Sequence, residues 1–178
     1  MSRLLGLDVG ERRVGVAVAD EARGSVRPLA TFRRRSPEED AARVARLAAE
    51  QRADQIVVGL PFDMDGREGE QARRTRDWAA AVATRTGLSI VWRDERLSTE
   101  ASEATQPRLR RDRATGRPTR AAILARRVRV DRDAAARILQ AELDARAASR
   151  MAATDTAAAG PGQGGDVAPE RPRPAVRA

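Results

Sequence analysis

Apolar positions in this chain come first as short unbroken runs and only later at helical spacing. Leu4, Leu5 and Leu7 lead into Asp8, the polar turn Glu11-Arg12-Arg13 follows, and a second apolar run spans Val14 to Val18. Two such runs about a turn predict a β-hairpin whose first strand carries an acid near its end. Gly10 and Gly15 permit a tight turn or the close approach of a ligand to the backbone. Val26 to Arg33 reads as a shorter third strand, with Pro28 marking an edge or a strand start. Ser36-Pro37-Glu38-Glu39 combines an N-cap residue, a proline at the first helical position and first-turn acids. A helix is predicted from there to about Arg52, with Val44, Leu47 and Ala48 inward.

Gln55 to Leu60 is a strand of the kind buried on both faces of an α/β sheet, and it runs into a 61–66 loop rich in turn residues. The next helix is predicted from about Gly69 to Arg85, with Trp78 and Val82 inward and Gly87 as its stop. Leu88 to Trp92 is another buried strand, followed by the acid pair Asp94-Glu95. Ser98 or Thr99 would cap a helix leading into a segment broken by Pro107, Gly116 and Pro118. A last helix is predicted to start at Val130-Asp131-Arg132-Asp133 and to end near Arg146 to Arg150. Its inner face would carry Ala134, Ala135, Ile138, Leu139 and Leu143. This succession indicates an α/β fold with a mixed sheet flanked by helices. From Met151 onward large apolar residues are scarce, so a disordered tail is expected. The domain expectation is 1–148, with a low-complexity tail over 149–178.

Composition narrows the chemistry. The 178 residues suit one domain with a sizeable core. No run approaches a membrane span and the start shows no signal pattern, so a cytoplasmic protein is expected. The chain has no cysteine and no histidine, which excludes disulfides, histidine-based nucleophilic triads and histidine- or thiolate-ligated zinc. Catalysis would fall to carboxylates, hydroxyls, arginine or a hard metal ion, and oxygen-only ligation favours Mg2+ or Mn2+. Every basic residue is arginine, and between Thr105 and Val130 nine arginines face one acid, Asp112. That excess of eight equals the net charge of the whole chain, +8. Charge confined to one segment points to a polyanion contact, although such a run can also be a solvated loop.

Three acids hold comparable places: Asp8 on the first strand, Glu95 just past a later buried strand and Asp131 at the last predicted helix. Ligands of α/β sheets gather at strand ends near a crossover point. Acids converging there repel one another unless a cation joins them. With one or two Mg2+ ions they would make a phosphoryl-transfer site.

The stretches LDVGERRVGVAVAD (7–20), VVGLPFDMDGREGEQA (57–72), DERLSTEA (94–101) and VDRDAAARILQAELD (130–144) resemble, in order, the motifs of the YqgF/RuvX family. Members are described as pre-16S rRNA nucleases, formerly as Holliday-junction resolvase-like proteins. The resemblance covers about the first 146 residues. It implies a ribonuclease H-like fold with a mixed five-stranded sheet and a hydrolase that trims the 5′ end of 16S rRNA precursors. By it, Asp8, Glu95 and Asp131 are the metal-binding catalytic acids, with Asp94 as an assistant. Gly10, Arg13, the 61–66 loop, Ser98 and Thr99 fall where the family lines its active-site face. Position 63 is aspartate where the family usually has asparagine, so that loop's role is open. The family's lysines before Asp131 are replaced, and Arg126, Arg127 and Arg129 are the substitutes, since arginine can grip phosphate bidentately. Expected partners are structured RNA (pre-16S rRNA) and ribosomal precursor particles, with no membrane, for a monomer or homodimer. Three other readings stay open: a Holliday-junction resolvase acting on branched DNA, an actin- or hexokinase-like nucleotide-binding protein, and a non-catalytic RNA-binding domain.

Overall fold

The computed structural model describes residues 2–62, 67–94 and 120–158, the side chains of 120, 121, 126, 127 and 155–158 excepted. The strands are β1 (Arg3–Val9), β2 (Arg13–Asp20), β3 (Ser25–Arg33), β4 (Gln55–Leu60) and β5 (Ser89–Asp94). They form one sheet in the order β3-β2-β1-β4-β5. β1, β2 and β3 pair antiparallel in sequence, whereas β4 runs parallel to β1 and β5 parallel to β4. The mixed five-stranded sheet is thus as expected, and β5 extends past Trp92 to take in Asp94.

The helices are α1 (Pro37–Gln51), α2 (Glu70–Thr86) and α3 (Arg120–Ala158). The Ser36 hydroxyl accepts a hydrogen bond from the Glu39 amide at 3.2 Å, which satisfies one free N–H of the first turn of α1. Gly87 closes α2 in the left-handed region at φ 68°, where a residue without Cβ is unstrained. The last helix differs from expectation. It begins at Arg120 rather than at Val130, and it runs to Ala158 rather than ending near Arg146 to Arg150. Neither glycine nor proline occurs between Pro118 and Gly160, and the alanine- and arginine-rich stretch is a strong helix former. Asp131 and Asp133 have the composition of a helix start, yet they lie within a continuous helix. Residues 63–66, the helix expected after Ser98 or Thr99, the segment to 119 and the tail beyond Ala158 lie outside the described residues.

Strand alternation sorts the core into two layers. Leu5, Leu7, Val14, Val16, Ile56 and Val58 pack with Val44 and Ala48 of α1 and with Trp78 and Val82 of α2. Leu4, Ala17, Ala19 and Val57 pack on the other face with Ala135, Ile138, Leu139 and Leu143 of α3. Leu4, Gly6 and Asp8 share one parity, so Asp8 faces the α3 side. No helix among the described residues is long and apolar enough to cross a membrane.

Candidate active site

β1, β4 and β5 are parallel and end on one rim of the sheet, and the chain reverses its lateral progress at β1. β2 and β3 lie to one side of β1, β4 and β5 to the other. Such a switch point leaves a crevice outside the carboxyl ends of the strands. Asp8 is the penultimate residue of β1 at that rim.

Asp131 is brought there by a glycine. Gly15 is the cross-strand partner of Asp8, and a Cβ built on it would stand 2.5 Å from the carbonyl carbon of Asp131. The backbone of α3 therefore rests directly on the backbone of β2. Further along the helix, a Cβ on Gly6 would stand 3.0 Å from the Ala135 carbonyl oxygen and 2.9 Å from Leu139 Cδ1. Asp131, Ala135 and Leu139 recur four residues apart and share one helix face. Two glycines on adjacent strands thus form the seat that sets Asp131 beside Asp8. The Thr31 hydroxyl donates to the Val128 carbonyl at 2.9 Å, tying the preceding turn of α3 to β3.

The electrostatics follow from this enclosure. The carboxyl of Asp8 is pushed up from 3.8 to about 6, first by burial and then by the charge of Asp131, with Arg137 pulling it down. Arg13 Nη1 lies 3.7 Å from Asp131 Oδ2, with both side chains mostly buried. A cleft of about 700 Å³ opens over the pair; Arg12, Arg13 and Arg33 line it on one side and Ile123 and Leu124 on the other. The turn at its mouth is held by the Gly10 amide donating to the Arg13 carbonyl at 3.0 Å. It is also held by Arg34 Nη1 donating to the Gly10 carbonyl at 3.1 Å.

Of the residues singled out from sequence, the structure brings together Asp8, Asp131 and Arg13. Glu95, Ser98 and Thr99 lie outside the described residues, as do the side chains of Arg126 and Arg127. Arg129 is exposed on α3. It sits two residues from Asp131, about 200° around the helix, and so on another face. Sequence reasoning missed Arg137, Arg12 and Arg33, because nothing in a chain with 34 basic residues marks these arginines apart. It did flag Gly15 for a close approach, but what approaches is α3 rather than a ligand.

The donor set fits a hard divalent cation. Two carboxyl groups line one cleft where burial and like charge oppose double ionisation, and a bound cation offsets both. Among the described residues no group of three acids is placed to hold a metal ion.

The family model described as "RuvX: Holliday junction resolvase" matches residues 2–145. A protein of Anaeromyxobacter sp. (strain Fw109-5), named "Putative pre-16S rRNA nuclease", is 43% identical over 144 residues, covering 81% of this chain and 98% of its own. One of the same name from Cereibacter sphaeroides (strain ATCC 17029 / ATH 2.4.9) is 43% identical over 141 residues, covering 79% and 82%. Among solved structures, T. thermophilus RuvC in complex with Holliday junction substrate aligns with a TM-score of 0.51 at 16% identity, covering 83% of this chain and 97% of that one. At that identity the likeness is one of fold, and it agrees with the ribonuclease H-like architecture implied by the motifs. The family match runs from β1 into α3 and takes in both Asp8 and Asp131; this chain belongs to the RuvX family.

Proposed function

We propose that this protein is a metal-dependent nuclease that hydrolyses a phosphodiester bond near the 5′ end of pre-16S rRNA. The observation that carries this reading is the seating of Asp131 against Gly15, which sets two carboxylates together at the sheet's switch point under an arginine-lined cleft. The names of the two curated relatives supply the substrate.

Asp8 and Asp131 would hold the ion, and Glu95 would complete the set. Val91 and Arg93 of β5 meet the α3 side. Arg93 is itself aligned with Gly59 of β4, which places no side chain between β1 and β5 at that level. A bound Mg2+ or Mn2+ supplies Lewis-acid polarisation of the scissile phosphate and neutralises charge on the leaving oxygen. The protein's own groups do the positioning. Arg13, held by Asp131, offers its remaining donors to a phosphate oxygen, and Ser98, Thr99, Arg126 and Arg127 are assigned to substrate contact, whereas Arg129, on another face of α3, is not.

The second reading, a junction resolvase, is favoured by the description of the family model. Incubating the purified chain with Mg2+, a short RNA spanning the mature 5′ end of 16S rRNA and a four-way DNA junction separates the two. Cutting of the RNA with the junction left intact supports the proposal. Cutting of the junction alone overturns it.

A further inference from the structure

The cleft over the acid pair has two unlike walls. Arg13 and Arg33 stand directly opposite each other across β2 and β3, a placement in which like charges repel. Asp131 meets the charge of Arg13. No carboxylate among the described residues forms an ion pair with Arg33 or Arg12, although Glu11 shares the same wall. The facing wall is apolar: Ile123 and Leu124 of α3 are 38% and 52% exposed.

Arg12 and Arg33 also border a second cleft of about 610 Å³, which leads away from the acids toward Arg35 and Arg74. Those two pair only with the exposed carboxylates of Glu39 and Glu70 among the described residues. Asp77 lies on the same border. Arg34, between them, is committed to the fold through Gly10 and the buried Asp40.

A duplex presents phosphates outward and hides its bases. A single strand offers phosphates on one side and apolar base faces on the other. Resting on the nuclease reading, we infer that the two clefts hold a single-stranded RNA segment beside the scissile phosphate. Its phosphates lie on Arg12 and Arg33, and a base lies against Ile123 and Leu124.

The test is binding of fluorescent oligoribonucleotides to the full chain in chelating buffer, where no cutting competes. Arg12→Gln/Arg33→Gln should flatten the log–log salt dependence of single-strand binding by about 1.4, roughly 0.7 for each phosphate no longer neutralised. Ile123→Ala/Leu124→Ala removes apolar surface that a base would cover and should weaken single-strand binding about tenfold with the salt slope unchanged. Duplex binding should respond less to both. An unchanged slope, equal weakening on duplex and single strand, or no binding of single strands overturns the inference. Cleavage plays no part in this readout, so failure of the nuclease reading would show separately, as an inability to cut RNA with Mg2+ present.

Discussion

Gly15 and Asp131 meet backbone to backbone, and this contact sets the spacing between two acids far apart in the chain. A methyl group on Gly15 would collide with a helix carbonyl, which cannot rotate away as a side chain can. Gly15→Ala should cost about 1–3 kcal/mol, read as a lower denaturation midpoint, and should abolish most cleavage even at temperatures where the variant is folded. Gly6→Ala is the comparison. It presses partly on the Leu139 side chain, so it should cost stability with a smaller drop in cleavage. Equal falls in activity would show that the glycine seat has no special bearing on Asp131.

Asp8 links the site to stability. Its carboxyl holds a proton to about 6 in the folded chain against an ordinary 3.8. Between those values the folded state binds more protons than the unfolded one. Stability is therefore lost as pH rises through that window, and the full penalty stands above it. Asp8→Asn removes the penalty. In metal-free buffer at pH 7.5 or so the variant should be more stable than wild type by up to about 3 kcal/mol, with the gain vanishing near pH 4. Added Mg2+ should raise the melting temperature of wild type more than that of the variant. A variant less stable than wild type at neutral pH would contradict the assignment of strain to Asp8.

Arg13 stands between the metal and the substrate in this account, at 3.7 Å from Asp131. Removing its charge leaves the carboxylates more attractive to a cation and the cleft less attractive to phosphate. For Arg13→Gln the Mg2+ midpoint for activity should fall and the Kd for RNA should rise, each by about three- to tenfold. Movement of both in the same direction would assign Arg13 to one role only.

The far end of the helix is held by a different device. Glu142 is buried and accepts from Arg93 Nε and Arg146 Nε, each at 2.5 Å. Arg146 also donates to Gln55, at the start of β4. Glu142→Gln takes the shared counter-charge from two half-buried guanidinium groups and should cost about 1–3 kcal/mol. The melting temperature should drop, while cleavage by the folded fraction should change little, because the site is more than two helical turns away along α3.

Much of the fold was legible in the chain. Ser36-Pro37 marked the start of α1 and Gly87 the end of α2, because caps are local chemistry. Asp8 stood out as an acid closing an apolar run. The start of α3 was misplaced because Asp131 and Asp133 imitate a cap, whereas the absence of any breaker from Arg120 onward was the better signal. The meeting of Asp8 with Asp131 depends on how α3 crosses β1 and β2, a relation between distant segments that no local pattern encodes. The family motifs supplied it by resemblance. The standing of Arg12 and Arg33 was hidden for the same reason: which arginine meets a carboxylate is settled only by packing.

The most direct measurement is cleavage of a short RNA carrying the 5′ boundary of 16S rRNA, with Mg2+, by wild type and by Asp8→Asn at equal concentration, with circular dichroism to show that both are folded. The account predicts cutting by wild type and at least a hundredfold less, or about 3 kcal/mol of lost barrier lowering, by the variant. Undiminished cutting by a folded Asp8→Asn protein would contradict it.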